Sequence, residues 1–146
     1  MLLLLRHGDA ADGSPDAERP LTKKGQRQAR TAGAALRVLG VAVDACLSSP
    51  KLRALDTARI ACQSLGGVDV RTDERLAGGP FDAEEVAAGL GDTVLLVGHE
   101  PDFSNAVREL SGARARMKKG GVAAIVDGEL VALLRPADLA AIASGG

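Results

Sequence analysis

The 146-residue chain contains two histidines, His7 and His99, and each follows a run of apolar residues. The first run, MLLLL, leads into Arg6-His7-Gly8; the second, TVLLV at 93–97, leads into Gly98-His99. A third apolar stretch at 45–47 runs into Ser48-Ser49-Pro50, with Arg53 close behind. Short apolar runs of this kind read as strands buried on both faces. In open sheets of parallel strands, ligands bind beyond the carboxyl ends of the strands. Both histidines and two arginines, Arg6 and Arg53, are therefore expected at one edge of one sheet.

That set of side chains suits a phosphoryl group. Two guanidiniums present forked donors to phosphate oxygens. A helix starting just after Ser49 adds free N–H groups and a positive dipole end. Neutral imidazole is a competent nucleophile near pH 7 and can carry a covalent intermediate, so one histidine would attack phosphorus and the other contact the phosphoryl group. Catalysis would rest on positioning and on stabilising charge at the equatorial oxygens. No metal and no cofactor is called for, and no carboxylate cluster is evident to hold a metal. Each residue has a plainer reading: a histidine at a strand end is often only a polar terminus, and Arg53 alone would be a solvated helix residue. The argument is their convergence. Two other motifs fail: His99-Glu100-Pro101-Asp102 begins like HExxH but continues with Phe103, and Lys23-Lys24-Gly25 is no P-loop.

The elements that must position these residues follow from periodicity and punctuation. Residues 2–5 form a central strand, and 9–20, rich in Asp, Gly, Ser and Pro, a loop. Thr22 caps a helix over about 23–39 with Ala29, Ala32, Gly33, Leu36 and Leu39 on its buried stripe. After the strand at 45–47, Ser49 caps a second helix with Pro50 at its first position. Leu52, Leu55, Ala58, Cys62 and Leu65 face inward, and Gly66-Gly67 ends it. A strand at 68–71, a loop at 72–82 and a short helix at 83–90 precede the strand at 93–97. A helix at 102–110 turns Phe103, Ala106, Val107 and Leu110 inward. Strands at 122–126 and 130–134 close the chain as a hairpin through Asp127-Gly128-Glu129. The expected fold is a single α/β domain over 1–146: a three-layer sandwich, its sheet mostly parallel, with helices on both faces and a C-terminal β-hairpin.

Composition narrows the function classes. Hydrophobic residues make up 46% and charged residues 25%, with only two Phe, no Trp and no Tyr, so the core is built from Leu, Val and Ala. A net charge of −1 and the lack of stacking aromatics argue against nucleic-acid binding. Cys46 and Cys62 form no metal motif and read as small buried thiols in a reducing compartment. The apolar start lacks a basic flank and a cleavage site, and no run is long enough to span a membrane, so a cytoplasmic location is expected. Arg114, Arg116, Lys118 and Lys119 form a basic cluster, either a solvated loop or a device for steering an acidic phosphoprotein.

RHGDA at 6–10, PLTKKGQRQA at 20–29, SSPKLRALDTA at 48–58 and VGHEPDFS at 97–104 together resemble the histidine phosphatase superfamily, whose fold is phosphoglycerate mutase-like. The short length, the GHEP block and MKKGGVAAI at 117–125 are most similar to the SixA-type phosphohistidine phosphatases. The resemblance implies a phosphohistidine intermediate on His7 and a phosphate pocket of Arg6, Arg53 and His99. It implies as substrate a phosphohistidine-bearing protein, such as a histidine-phosphotransfer domain of a bacterial signalling relay, with no nucleic-acid or membrane partner. Where relatives cleave esters, an acidic residue protonates the leaving alkoxide; Glu74, in DERLAGG at 73–79, is its best match here, although Arg75 and Gly78 depart from the family pattern. A phosphorylated imidazole is the better leaving group and needs less acid assistance.

One His7 nitrogen must face phosphorus, so the other needs a fixed partner: a backbone carbonyl is expected, with Gly8 permitting close approach. Thr57, one turn after Arg53, either steadies that arginine or is a buried helix threonine. Ser104 either touches substrate or sits in its helix's first turn. Two rival functions stay open: a phosphatase or mutase-like enzyme for small phosphate esters, and a non-catalytic phosphate-binding module. The short chain leaves little material for a lid, which fits a protein-sized substrate better than a metabolite.

Overall fold

A computed structural model describes residues 1–145. Six strands form one sheet: β1 (Leu2–Arg6), β2 (Ala45–Ser48), β3 (Val70–Thr72), β4 (Val94–Gly98), β5 (Val122–Val126) and β6 (Glu129–Leu134). Their order across the sheet is β3-β2-β4-β1-β5-β6. The first four lie parallel, and β5 and β6 add antiparallel on the far side of β1. The helices are α1 (Lys23–Val38), α2 (Leu52–Leu65), α3 (Ala83–Ala87), α4 (Asp102–Ser111) and α5 (Pro136–Gly145). This is the expected mostly parallel α/β sandwich.

The strands β1 and β4 are apolar throughout because helices cover both faces. Successive side chains alternate across a strand, so Leu3 and Leu5 point to the layer of α1, α2 and α5, where they meet Ala32, Leu36, Ala58 and Leu139. Leu4 points the other way, into a second core with Phe103, Ala106 and Val107 of α4, Val86 of α3 and Met117. Each of these buried leucines contributes roughly 2 kcal/mol through its removal from water. The segment carrying His7 thus grows from the most firmly packed strand.

Thr22 caps α1 as expected: its Oγ1 accepts from the Gly25 N–H at 3.1 Å. The inward stripe runs through Ala29, Ala32, Gly33, Ala35 and Leu36, and Leu39 lies exposed at the end of the helix. The second helix departs further from expectation. It starts at Leu52 with Lys51 as its N-cap residue, so Pro50 lies outside it and the Ser49 side chain is not its cap. Its buried face is Arg53, Ala54, Thr57, Ala58, Ala61 and Cys62, rotated away from Leu52 and Leu55. The reason is backbone proximity to α1. A Cβ on Gly33 would come within 2.2 Å of the Ala61 carbonyl oxygen, so small residues, not leucines, line the seam between the helices.

Leucine periodicity therefore misjudges α2, while it reads α4 correctly: Phe103, Ala106 and Val107 are buried there. The third strand is shorter and later than expected, at Val70–Thr72 on the sheet edge. The hairpin turns through Asp127 and Gly128, both in the left-handed region (φ 48° and 74°), the geometry that favours Asp-Gly between paired strands.

The helix α5 was not expected from the sequence. Its Ala-rich run has no polar-apolar rhythm, and it forms because Leu139 buries against α1 and the β5–β6 layer. Its first turn is closed by Asp138, whose carboxylate accepts from the Arg135 N–H at 2.8 Å. Cys46 and Cys62 are both buried free thiols in the α1–α2 core. Among the described residues, no helix is long and apolar enough to cross a membrane.

Candidate active site

The register of the central strands places the two histidines together. Arg6 pairs with Gly98 in the parallel β1–β4 ladder, and the His7 N–H donates to the Gly98 carbonyl at 3.0 Å. Both chains leave the sheet at the same level, and the His7 and His99 rings face each other with centroids 5.2 Å apart and planes tilted by 57°. The neighbouring β2 ends level with them: the Ser49 N–H donates to the Val97 carbonyl at 2.9 Å.

His7 is held in one tautomer. Its Nδ1 lies 2.7 Å from the Gly8 carbonyl oxygen, which can only accept, so Nδ1 carries the proton and Nε2 keeps its lone pair. This is the backbone partner the sequence called for, supplied by the next residue. The loop is fixed from two sides. The Gly8 N–H donates to Thr57 Oγ1 at 3.0 Å, while the Thr57 hydroxyl donates to the Arg53 carbonyl at 2.7 Å. Thr57 thereby ties the His7–Gly8 loop to the helix carrying Arg53. On the other side Gly8 abuts Gly25 of α1: a Cβ on Gly8 would lie 2.6 Å from the Gly25 carbonyl oxygen, and one on Gly25 2.0 Å from that of Asp9. Only glycine at both positions lets the loop pass that close.

The arginines converge on the same place. Arg6 donates through a terminal nitrogen to the Met117 carbonyl at 2.9 Å. Arg53, buried in the first turns of α2, donates to the Asp16 carbonyl at 2.9 Å and to its carboxylate at 3.2 Å. Hydrogen bonds from Arg19 and Arg53 hold the Asp16 carboxyl at about 2, well below the ordinary carboxylate range. The Nε atoms of both Arg6 and Arg53 are buried and have no hydrogen-bond partner among the described residues. An oxyanion satisfies such donors; water-excluded, unpartnered N–H groups are otherwise costly.

His99 is steadied by Ser49, whose Oγ lies 2.8 Å from Nε2. The same Oγ accepts from the Lys51 N–H at 3.2 Å, which explains why α2 begins two residues later than the proline suggests. Burial lowers the His7 pKa to about 4, opposed by the Gly8 bond and reinforced by Arg53, Arg6 and Lys119. Burial also lowers that of His99 to about 3, with His7 and Arg53 reinforcing it. Both rings are therefore held neutral at pH 7. With two histidines in the chain, imidazole NMR titration would read them directly: neither ring is expected to protonate between pH 8 and 5.5, and His7 is expected to titrate near 4. Because the unfolded chain takes up protons below about 6.5 and the folded chain refuses them down to about 4, stability falls as pH drops through that window. A His7 midpoint at 6 or above contradicts this electrostatic account.

Arg6, His7, Arg53 and His99 line a cleft of about 240 Å³ together with Arg19, Lys51, Gly78, Glu100, Asp102 and Lys119. That is smaller than the ~300–1,000 Å³ of pockets that enclose whole small ligands. A larger hollow of about 500 Å³ lies at the opposite edge of the sheet, lined by Met1, Leu2, Glu84, Asp92 and Asp127 among others; it has carboxylates and no cationic side chain, so it does not suit an anion.

The remaining sequence candidates stand apart from the cleft lining. Glu74 is exposed on the one-turn 3-10 helix Glu74–Leu76, on the loop whose Gly78 reaches the cleft. Ser104 sits in the first turn of α4 and donates its hydroxyl and N–H to the Glu100 carboxylate. Glu100 also accepts from the Met117 N–H at 3.3 Å. It thus fixes the peptide segment whose carbonyl holds Arg6. Sequence reasoning missed Lys51, Asp16 and Glu100, read Ser49 only as a helix cap, and placed Lys119 only in a basic surface cluster. Ser49 and Lys51 follow β2 directly, so strand-end position could have flagged them; Asp16 depends on a loop contact no local pattern signals. Among the described residues, no group of three or more His, Cys, Asp or Glu is arranged to hold a metal ion.

Comparison with known proteins agrees with this geometry. The structure of the protein histidine phosphatase SixA complexed with tungstate superposes with a TM-score of 0.81 at 26% identity, covering 94% of this chain and 98% of that one. A candidate phosphohistidine phosphatase SixA from Nakamurella multipartitia gives a TM-score of 0.72 at 33% identity, covering 95% of this chain and 88% of that one. An uncharacterized protein of Picosynechococcus sp. is 32% identical over 140 residues, 87% of this chain and 85% of that one. The model of the histidine phosphatase superfamily (branch 1) matches residues 2–85. With its paired histidines and arginines at the carboxyl edge of a phosphoglycerate mutase-like sheet, the chain belongs to the histidine phosphatase superfamily and is of the SixA type.

Proposed function

We propose that this phosphatase removes the phosphoryl group from a phosphohistidine on a protein, through a covalent phospho-His7 and without a metal. The observation that carries the reading is the tautomer of His7: Nδ1–H is bound to the Gly8 carbonyl, so the unprotonated Nε2 stands among arginines in a small cleft. Nε2 donates its lone pair to phosphorus. The P–N bond to the substrate imidazole breaks, its electron pair goes to that nitrogen, and the nitrogen takes a proton from solvent. Water then attacks phosphorus in phospho-His7, losing a proton. The P–N bond breaks with its pair returning to Nε2, and inorganic phosphate leaves. The guanidiniums of Arg6 and Arg53, which line the cleft, bind the equatorial oxygens, where charge is stabilised most. Tungstate, bound by the similar SixA, is a tetrahedral oxyanion like phosphate.

Substrate size supports the protein over the metabolite. The cleft, at about 240 Å³, is sized for a phosphoryl group and its near neighbours. A phosphorylated imidazole side chain on a protein surface needs no more enclosure than this. Ester cleavage asks more of an acid; Glu74, exposed on the loop whose Gly78 reaches the cleft, is the residue to test as proton source for alkoxide leaving groups.

The test is a substrate panel. The purified enzyme is expected to favour a histidine-phosphotransfer domain phosphorylated on histidine over phosphate monoesters by about a hundredfold or more in kcat/KM. A preference for esters overturns the reading. Run beside it, Glu74→Gln is expected to leave phosphohistidine turnover within about threefold while lowering ester hydrolysis about tenfold or more, the usual scale of general acid catalysis being 10²–10⁴. Equal losses on both substrates remove Glu74 from this division of labour.

A further inference from the structure

The cleft does not end at Lys119. Arg6 and Lys119 line both it and an adjoining groove of about 470 Å³, which runs on between Lys24 of α1 and Lys118 of the loop before β5. A further hollow of about 340 Å³ continues along α1 past Arg27 to Thr31, sharing Lys24, Gln28 and Pro136 with the first. From Lys24 to Thr31 the helix advances about 10 Å. The cleft is therefore bordered by two surface hollows in turn, which together form a grooved strip along α1.

Its charge is one-sided. Beyond Arg6 it carries Lys24, Arg27, Lys118 and Lys119, and the single carboxylate in its lining, Asp9, is already held by Lys119 at 3.3 Å and by the Thr22 hydroxyl at 2.8 Å. Lys24, Arg27 and Lys118 make no ion pair among the described residues. The chain as a whole carries a net charge of −1, so this concentration of cations is local and not a reflection of composition. The basic cluster of the sequence also resolves. Arg114 and Arg116 point outward from a strap whose Ala113, Ala115 and Met117 pack on the second core, and only Lys118 and Lys119 join the groove.

We infer that this groove is the docking surface for the protein substrate, and that it selects a phosphohistidine flanked by an acidic surface. The inference rests on the phosphohistidine reading and names what that reading leaves open, the partner's chemistry. Lys24, Arg27 and Lys118 all lie outside the lining of the cleft, Arg27 about 4.5 Å of helix beyond Lys24; a protein surface spans all of them, and a small phosphorylated metabolite held at His7 does not. Exposed cations of this kind act on encounter and register, so they set KM and its salt dependence more than the chemical step.

The triple variant Lys24→Glu/Arg27→Glu/Lys118→Glu tests this and leaves the cleft lining intact. Lys24→Glu lies in the first turn of α1, where it suits the helix dipole, and Arg27 and Lys118 are exposed, so the fold is expected to hold. Two substrates are compared: an acidic histidine-phosphotransfer domain phosphorylated on histidine, and free phosphohistidine. The expected result is a rise of about tenfold or more in KM for the domain at low salt, with kcat and the turnover of free phosphohistidine within about twofold of wild type. In the wild type, raising salt should reproduce the KM increase for the domain alone. An unchanged KM for the domain overturns the docking surface and leaves the phosphohistidine reading standing. Equal losses on both substrates assign the three residues to site integrity and overturn it as well. A wild type that hydrolyses phosphate esters but neither phosphohistidine substrate defeats the underlying reading, and this one with it.

Discussion

Replacing His7 by Asn is expected to abolish turnover while leaving the protein folded. Asparagine keeps a donor near the Gly8 carbonyl, so the loop between β1 and Gly25 retains its anchor. What is lost is the lone pair at Nε2, the proposed nucleophile, which burial keeps unprotonated at pH 7. Removing an essential nucleophile costs several orders of magnitude in other enzymes, and a fall of about 10⁴-fold or more in kcat is expected here. The second readout is the intermediate itself. Brief incubation of wild type with radiolabelled phosphohistidine substrate should yield an acid-labile, alkali-stable phosphoenzyme, and His7→Asn should yield none. Turnover by His7→Asn within tenfold of wild type, at unchanged thermal stability, would show that phosphorus is attacked by something else. Phosphate binding without a phosphoenzyme in the wild type would favour a binding module.

Arg53→Ala carries the next largest expected effect. Arg53 is buried beside both histidines, and its Nε–H has no partner, while its terminal nitrogens are engaged by Asp16. Loss of one preorganised donor to a developing oxyanion typically costs about 10²–10³-fold, and a loss in that range is expected in kcat/KM. Arg53→Lys should recover only part of it, because a point charge does not replace a planar fork. The readout that separates binding from mere packing is tungstate or phosphate inhibition: Arg53→Ala should weaken it about as much as it lowers kcat/KM. A variant that loses activity but binds the oxyanion as tightly as wild type would place Arg53 in the scaffold.

Much of the fold was legible because the signals were local. Apolar runs ending in polar turns marked β1, β2 and β4, Thr22 marked the start of α1, and Asp127-Gly128 marked the hairpin. The errors were not local. The inward face of α2 is set by how closely α1 approaches through Gly33, which leucine spacing does not report. The helix α5 has an alanine-rich sequence with no amphipathic rhythm and is defined by the surface it covers.

The functional site divides the same way. By itself the sequence determined which groups meet: His7, His99, Arg6 and Arg53 end or follow strands or open a helix, and the parallel topology leaves such positions one edge to occupy. Only the tertiary structure decided how those groups are tuned. The His7 proton sits on Nδ1 because the Gly8 carbonyl turns back to meet it, and that turn depends on Thr57 and Gly25 from two different helices. Asp16 grips Arg53 across a loop, and Lys24 joins Lys118 beside the cleft although they lie far apart in the chain. A residue's type and its place on a strand are written locally, whereas its protonation state and its partners are set by groups that only folding brings within a few ångströms.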